Sequence, residues 1–186
     1  VIFQINDKAE VQSYKIAKTV ICSDRRFAYE EAQKVIETGE GDYKEEILTL
    51  DRLAKILRQN RFDSGAIAFD RVEVRFEIDE KGKPVSVFFK EQKDANKMIE
   101  EFMLLANKTV ATHIGKPGKG KVAKTFVYRI HDVPNPDKLA TFSAFIKRFG
   151  YNLKTTGKAA AVSGSINNLL DQVQGKKEQN LIETLA

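Results

Sequence analysis

Two adjacent carboxylates, Glu100 and Glu101, interrupt a stretch that otherwise reads as a core helix, DANKMIEEFMLLANKTVATHI at residues 94–114. At about 100° per residue, Ala95, Met98, Ile99, Phe102, Leu105, Ala106 and Ile114 cover a broad apolar arc. Lys97 and Glu101 are i, i+4 neighbours, a pairing worth about a few tenths of a kcal/mol, so Glu101 has an ordinary surface explanation. Glu100 has no obvious cationic partner on its own helix, since Lys97 is already matched with Glu101. It aligns instead with Asn96 and Asn107 on a narrow polar strip that Met103 interrupts. The pattern predicts a helix buried on most sides, with one polar seam carrying Glu100 toward a cleft. The alternative is a Glu paired with an Arg or Lys from elsewhere in the fold.

Other residue sets fit known chemistries less well. GKPGKGKV matches GxxxxGK at Gly115, Gly120 and Lys121. A phosphate loop follows a strand, opens a helix and carries Ser or Thr after the Lys. Here the predicted helix comes first, a strand is predicted after, and Val122 takes the hydroxyl position, which excludes a nucleoside triphosphatase. The stretch is left as a basic loop that could touch a nucleic-acid backbone or simply be solvated. His113 and His131 are the only histidines and lie in different predicted elements, without metal-ligand spacing. His131 is read as a hydrogen-bonded structural residue at a strand end. Cys22 is the only cysteine, which excludes an internal disulfide and fits a reducing, cytoplasmic setting. Phosphoryl chemistry on two metals needs several converging carboxylates, and no strand-borne cluster of aspartates is present.

These residues need elements to hold them. Alternation in VIFQIND and AEVQSYKIAKTVICS around Asn6 to Lys8 predicts a β-hairpin. SDRRFAYEEAQKVIETGEGD predicts a helix capped by Ser23 or Asp24 and ended by Gly39 and Gly41. A second helix is expected from Asp42 through Gln59, with Ile47, Leu50, Leu53, Ala54 and Leu57 inward. VEVRFEI, a Gly-containing turn at Lys81 to Lys83 and VSVFF give a second hairpin. After the long helix come a strand, TFVYRIH, then a helix over residues 136–150, then a Gly/Ala/Ser-rich connection and a helix from about Ser165. The class is α+β, antiparallel hairpins flanked by helices, an incomplete piece of a larger mixed catalytic domain. Charge is uneven along it: residues 101–158 hold eleven Lys or Arg against three acids, in a chain of net charge +5. A local surplus of that size suits a polyanion such as nucleic acid.

Four stretches together resemble the interior of the catalytic (RNB) domain of ribonuclease R-like enzymes, in the ribonuclease II superfamily. They are DRRFAYEEAQ (24–33), SGAIAFDRVEVRFEIDEKG (64–82), DANKMIEEFMLLANKTVA (94–111) and YRIHDVPNPDKL (128–139). The resemblance implies a processive 3′→5′ exoribonuclease that hydrolyses single-stranded RNA to nucleoside monophosphates with Mg²⁺. It also implies that Tyr29 and Glu100 line the RNA path near the 3′ end. A carboxylate can accept a hydrogen bond from a ribose 2′-hydroxyl, and a tyrosine offers a ring face and a hydroxyl. Arg25 and Arg26 are weighed as phosphate contacts against surface ion pairs with Glu30 or Asp24.

The family's Asp-rich metal motif and its Arg-containing motif have no counterpart in these 186 residues. Residues 1–186 are therefore expected to be an interior segment of a single RNB catalytic domain, with no catalytic or metal-binding residue of its own. Mg²⁺ is implied for the parent enzyme alone. The parent is expected to be a cytoplasmic monomer whose partner is single-stranded RNA, without membrane association. The competing expectation is a non-catalytic RNA-binding or scaffolding protein derived from the same fold.

Overall fold

A computed structural model describes residues 1–67, 73–90, 92–116, 118, 120, 122–130, 134–157 and 159–186. His131 and Lys121 lie outside the described residues, as does part of the GKPGKGK stretch. The α+β class holds: six helices and two two-stranded antiparallel sheets are found among the described residues. None of these helices is long and apolar enough to cross a membrane. The chain divides into two compact units, residues 1–58 with 71–128 and residues 59–70 with 129–186.

The first unit opens on β1 (Ile2–Ile5) and β2 (Val11–Lys15), paired antiparallel with an irregularity after Gln4. The turn closes because the Asn6 carboxamide oxygen accepts from the amides of Lys8 and Glu10, at 3.0 and 2.9 Å. The alternation that continues past Lys15 forms no further strand.

The helix α1 (Tyr29–Thr38) starts later than predicted, with Ala28 at its N-cap rather than Ser23 or Asp24. The reason is local: the Glu31 carboxylate turns back to accept the Ala28 N–H at 2.8 Å. Its other end falls at Gly39, whose φ of 70° is the left-handed conformation that a glycine adopts without penalty. Next come α2 (Lys44–Asp63), residues 59–63 of which belong to the second unit, β3 (Glu73–Ile78) and β4 (Pro84–Lys90). The β3–β4 turn is held by Asp79, whose carboxylate accepts from the amides of Lys81 and Lys83. Val74 pairs with Phe89 and Phe76 with Val87, so one face of this hairpin is apolar, and it is exposed.

The long helix α3 (Asp94–Gly115) has the predicted extent. Its burial differs from expectation. Only Ala95, Met98 and Glu101 are buried, while Ile99, Met103 and Leu104 are exposed. The three buried positions are spaced i, i+3, i+6, one narrow stripe against the rest of the unit. The predicted strand at TFVYRIH is not formed, since residues 122–130 carry no regular structure.

The second unit is a small helical core. It holds α4 (Pro136–Lys147), α5 (Ala159–Val173) and α6 (Gln179–Leu185). Asn135 caps α4, accepting from the amides of Asp137 and Lys138, with Pro136 at the first helical position. The Gly/Ala/Ser-rich stretch is helical rather than a connection: α5 starts at Ala159, not near Ser165. Ala is the best helix former, and packing of Val162 and Ile166 repays the cost of Gly164. Ile146, Leu169, Val173 and Ile182 are the most deeply buried large side chains. Beside them the Tyr151 hydroxyl donates to Glu178 Oε1 at 2.7 Å and accepts from Lys176 Nζ at 2.9 Å.

Candidate nucleic-acid interface

Within the first unit α1 packs on α3, and one buried polar contact fastens them. The Gln33 carboxamide oxygen on α1 accepts the Ala95 N–H at 2.9 Å. Ala95 is in the first turn of α3, where amides have no partner within the helix. Gln33 therefore caps α3 from another element, while its own Nε2 donates to Glu37 Oε1 at 3.0 Å. Sequence reading missed Gln33, because no local pattern marks a cap supplied from residues so far away.

Tyr29 is the first residue of α1 and is 43% exposed. It lines two recesses. One, of about 540 Å³, is largely apolar and includes Phe27, Tyr43, Ile47, Leu50 and Ile99. The other, of about 210 Å³, is lined by polar and charged residues, Glu30, Gln33, Lys34, Glu37, Lys93 and Asn96. Asn96 is the seam residue one helical turn before Glu100 on α3. Glu100 is exposed and lines neither recess. The structure thus brings Tyr29 to Asn96 and sets Glu100 one turn further along the same helical face.

Arg25 is committed to ion pairs. Its guanidinium lies 3.1 Å from Glu31 Oε1 and 3.5 Å from Asp42 Oδ2, and stacks 4.8 Å from the centre of the Phe27 ring. The partners are Glu31 and Asp42, not Glu30 or Asp24. The Ala28 N–H, with Arg25 adding to it, holds the Glu31 carboxyl below its ordinary value. Arg26 is exposed.

The two adjacent glutamates of α3 exchange the environments expected for them. Glu101, read as a surface residue, is 3% exposed. It lines a recess of about 110 Å³ shared with Asp51, Lys55, Arg58, Asp94 and Lys97. Lys55 Nζ bridges Asp51 Oδ2 at 2.7 Å and Asp94 Oδ2 at 3.2 Å. Those hydrogen bonds, Asp51 first, hold the Lys55 ammonium above its ordinary value. Ala95–Met98–Glu101 spacing was the available signal. Three cations interleave the three acids here, so the group is an ion-pair network and does not suit a divalent cation. Among the described residues no other set of three His, Cys, Asp or Glu could hold a metal ion either.

Known proteins are similar to this chain in sequence and in fold. The RNB domain family model matches residues 1–186. Ribonuclease R 2 of Lactococcus lactis is 30% identical over 191 residues, covering 97% of this chain and 27% of that protein. DIS3-like exonuclease 2 of Schizosaccharomyces pombe is 35% identical over 166 residues, covering 81% of this chain and 18% of that protein. The structure of Mycoplasma genitalium RNase R in complex with double-stranded RNA matches with a TM-score of 0.80 at 22% identity. It covers 98% of this chain and 32% of that one. The same enzyme in complex with ribose methylated single-stranded RNA matches with a TM-score of 0.78 at 20% identity, over 98% of this chain and 28% of that one. The chain thus spans under a third of the length of each of these relatives.

Proposed function

Because the chain belongs to the RNB domain family, we propose that it is an interior segment of the catalytic domain of a ribonuclease R-like 3′→5′ exoribonuclease. The parent enzyme processively hydrolyses single-stranded RNA to nucleoside monophosphates, as a monomer in the cytoplasm. Its Mg²⁺ is held by aspartates outside these 186 residues and supplies the nucleophile and charge neutralisation for phosphodiester hydrolysis. The segment contributes channel wall: Tyr29 holds the 3′-terminal nucleotides, and Glu100 accepts from a ribose 2′-hydroxyl.

The observation that carries this reading is the family match along all of residues 1–186. The exposure of Glu100 and Tyr29 supports the two roles, since both can be reached by a strand. The Gln33–Ala95 hydrogen bond supports them too, because it gives the two helices a common frame.

Digestion of 5′-labelled RNA by the intact protein with Mg²⁺ tests the activity. Conversion of full-length RNA to a short 5′-terminal end product with few intermediates is expected, with nucleoside monophosphates released when the RNA is labelled uniformly; RNA that is bound and never shortened supports the non-catalytic alternative. Glu100→Ala tests the contact. It should erode discrimination of RNA against DNA by about 1–3 kcal/mol, the range of a hydrogen bond to a charged group. Unchanged discrimination removes Glu100 from the site.

A further inference from the structure

At the opposite end of α3 from Tyr29's recesses lies a recess of about 820 Å³ that includes Tyr14, His113, Lys116, Val122 and Lys124. Its described lining contains no acid. Three segments build it. Tyr14 on β2 shares a hydrogen bond of 3.1 Å between its hydroxyl and His113 Nδ1, with the rings edge-on at 5.8 Å. That contact ties the first hairpin to the last turn of α3. The chain beyond α3 then folds back on the helix end. Lys116 N–H donates to the Thr112 carbonyl at 2.9 Å, and Lys124 N–H donates to the Ile114 carbonyl at 3.2 Å. The Tyr128 hydroxyl occupies the place where a Cβ on Gly115 would stand, so a glycine there is what admits the returning chain.

The electrostatics follow from this closure. A helix C-terminus presents partial negative charge, which disfavours an anion. Two of its terminal carbonyls are covered by the amides just named, and Lys116 and Lys124 add full positive charges beside them. Both lysines are exposed, and Tyr14 keeps 43% of its surface exposed. The recess also falls in the stretch where eleven Lys or Arg face three acids.

We propose that this recess binds the backbone of single-stranded RNA. The ammonium groups of Lys116 and Lys124 contact phosphates, and the Tyr14 ring, steadied by His113, offers a face to a base. Cations with an interleaved aromatic are the means by which single strands are held without sequence preference. The proposal rests on the RNA-degrading reading above but uses different residues, for neither Tyr29 nor Glu100 lines this recess.

The test is fluorescence anisotropy of a labelled oligouridylate with the intact protein in EDTA, titrated at several salt concentrations. Each phosphate contact on a single strand contributes about 0.7 to the slope of log K against log salt. Lys116→Gln with Lys124→Gln should therefore lower that slope by about 1.4 and weaken binding at 0.1 M salt about 25-fold, relative to 1 M where the counterion contribution vanishes. Arg at both positions should preserve the slope, which a folding defect would not. Tyr14→Ala should weaken binding at every salt concentration and leave the slope in place. Wild-type binding with an unchanged slope in the double Gln variant overturns this site and leaves the nuclease reading standing. Wild-type protein that binds no RNA in the same titration overturns both.

Discussion

Gln33→Leu isolates the contact that fastens α1 to α3. The substitution keeps the volume of the side chain roughly and removes its acceptor, leaving the Ala95 N–H with no partner at a residue that is 1% exposed. Water cannot replace the carboxamide there, so the cost is the full desolvation of a buried donor, about 1–3 kcal/mol. Loss of the half-buried bond from Gln33 to Glu37 adds about a few tenths of a kcal/mol. With a urea m-value of about 2 kcal/mol/M, the midpoint should fall by about 0.5–1.5 M at unchanged slope. Circular dichroism during a urea titration reads this directly. Gln33→Met, which follows the shape of glutamine more closely, should fall by the same amount, because it too lacks an acceptor. A midpoint within about 0.2 M of wild type for Leu would refute the hydrogen-bond argument. A large loss for Leu with none for Met would assign the effect to packing instead.

Stability should separate the paired carboxylates of α3. Glu101→Gln should cost about 1–3 kcal/mol, because it takes a charge from a buried ion-pair network. Glu100→Gln, at an exposed position, should stay within about 0.5 kcal/mol in the same titration. In the second unit, Leu169→Ala should cost about 2–5 kcal/mol by opening a cavity where the leucine is 1% exposed, and a loss below 1 kcal/mol would mean the core collapses around it. The pH dependence has two limbs. Glu31 and Glu178 have lowered values, through the Ala28 N–H and the Tyr151 hydroxyl respectively. Their contribution is present above the ordinary carboxylate range and is lost as pH falls through their folded values. Lys55 is raised by Asp51, so its contribution is full below the ordinary lysine range and is lost as pH rises through its folded value. Glu178→Gln should flatten the acid limb of a melting-temperature profile, and Lys55→Met the alkaline limb.

Local chemistry made much of this protein legible without coordinates. The end of α1 at Gly39, the Asp79–Lys83 turn of the second hairpin and the extent of α3 are each encoded within a few neighbouring residues. The resemblance to the RNB family was likewise carried by short stretches that need no folding to be read. What tertiary structure decided was which side of each element is covered. Periodicity gave α3 a broad apolar arc, yet only the Ala95–Met98–Glu101 stripe is buried, because α1 packs there and side chains of α2 share its recesses, while Met103 and Leu104 stay exposed. Glu101 is tolerated in that stripe because cations on α2 and on α3 itself share its recess. The Gln33 cap and the Tyr14–His113 contact join residues 62 and 99 positions apart. No window along the sequence contains either pair, so only the folded chain could bring them together.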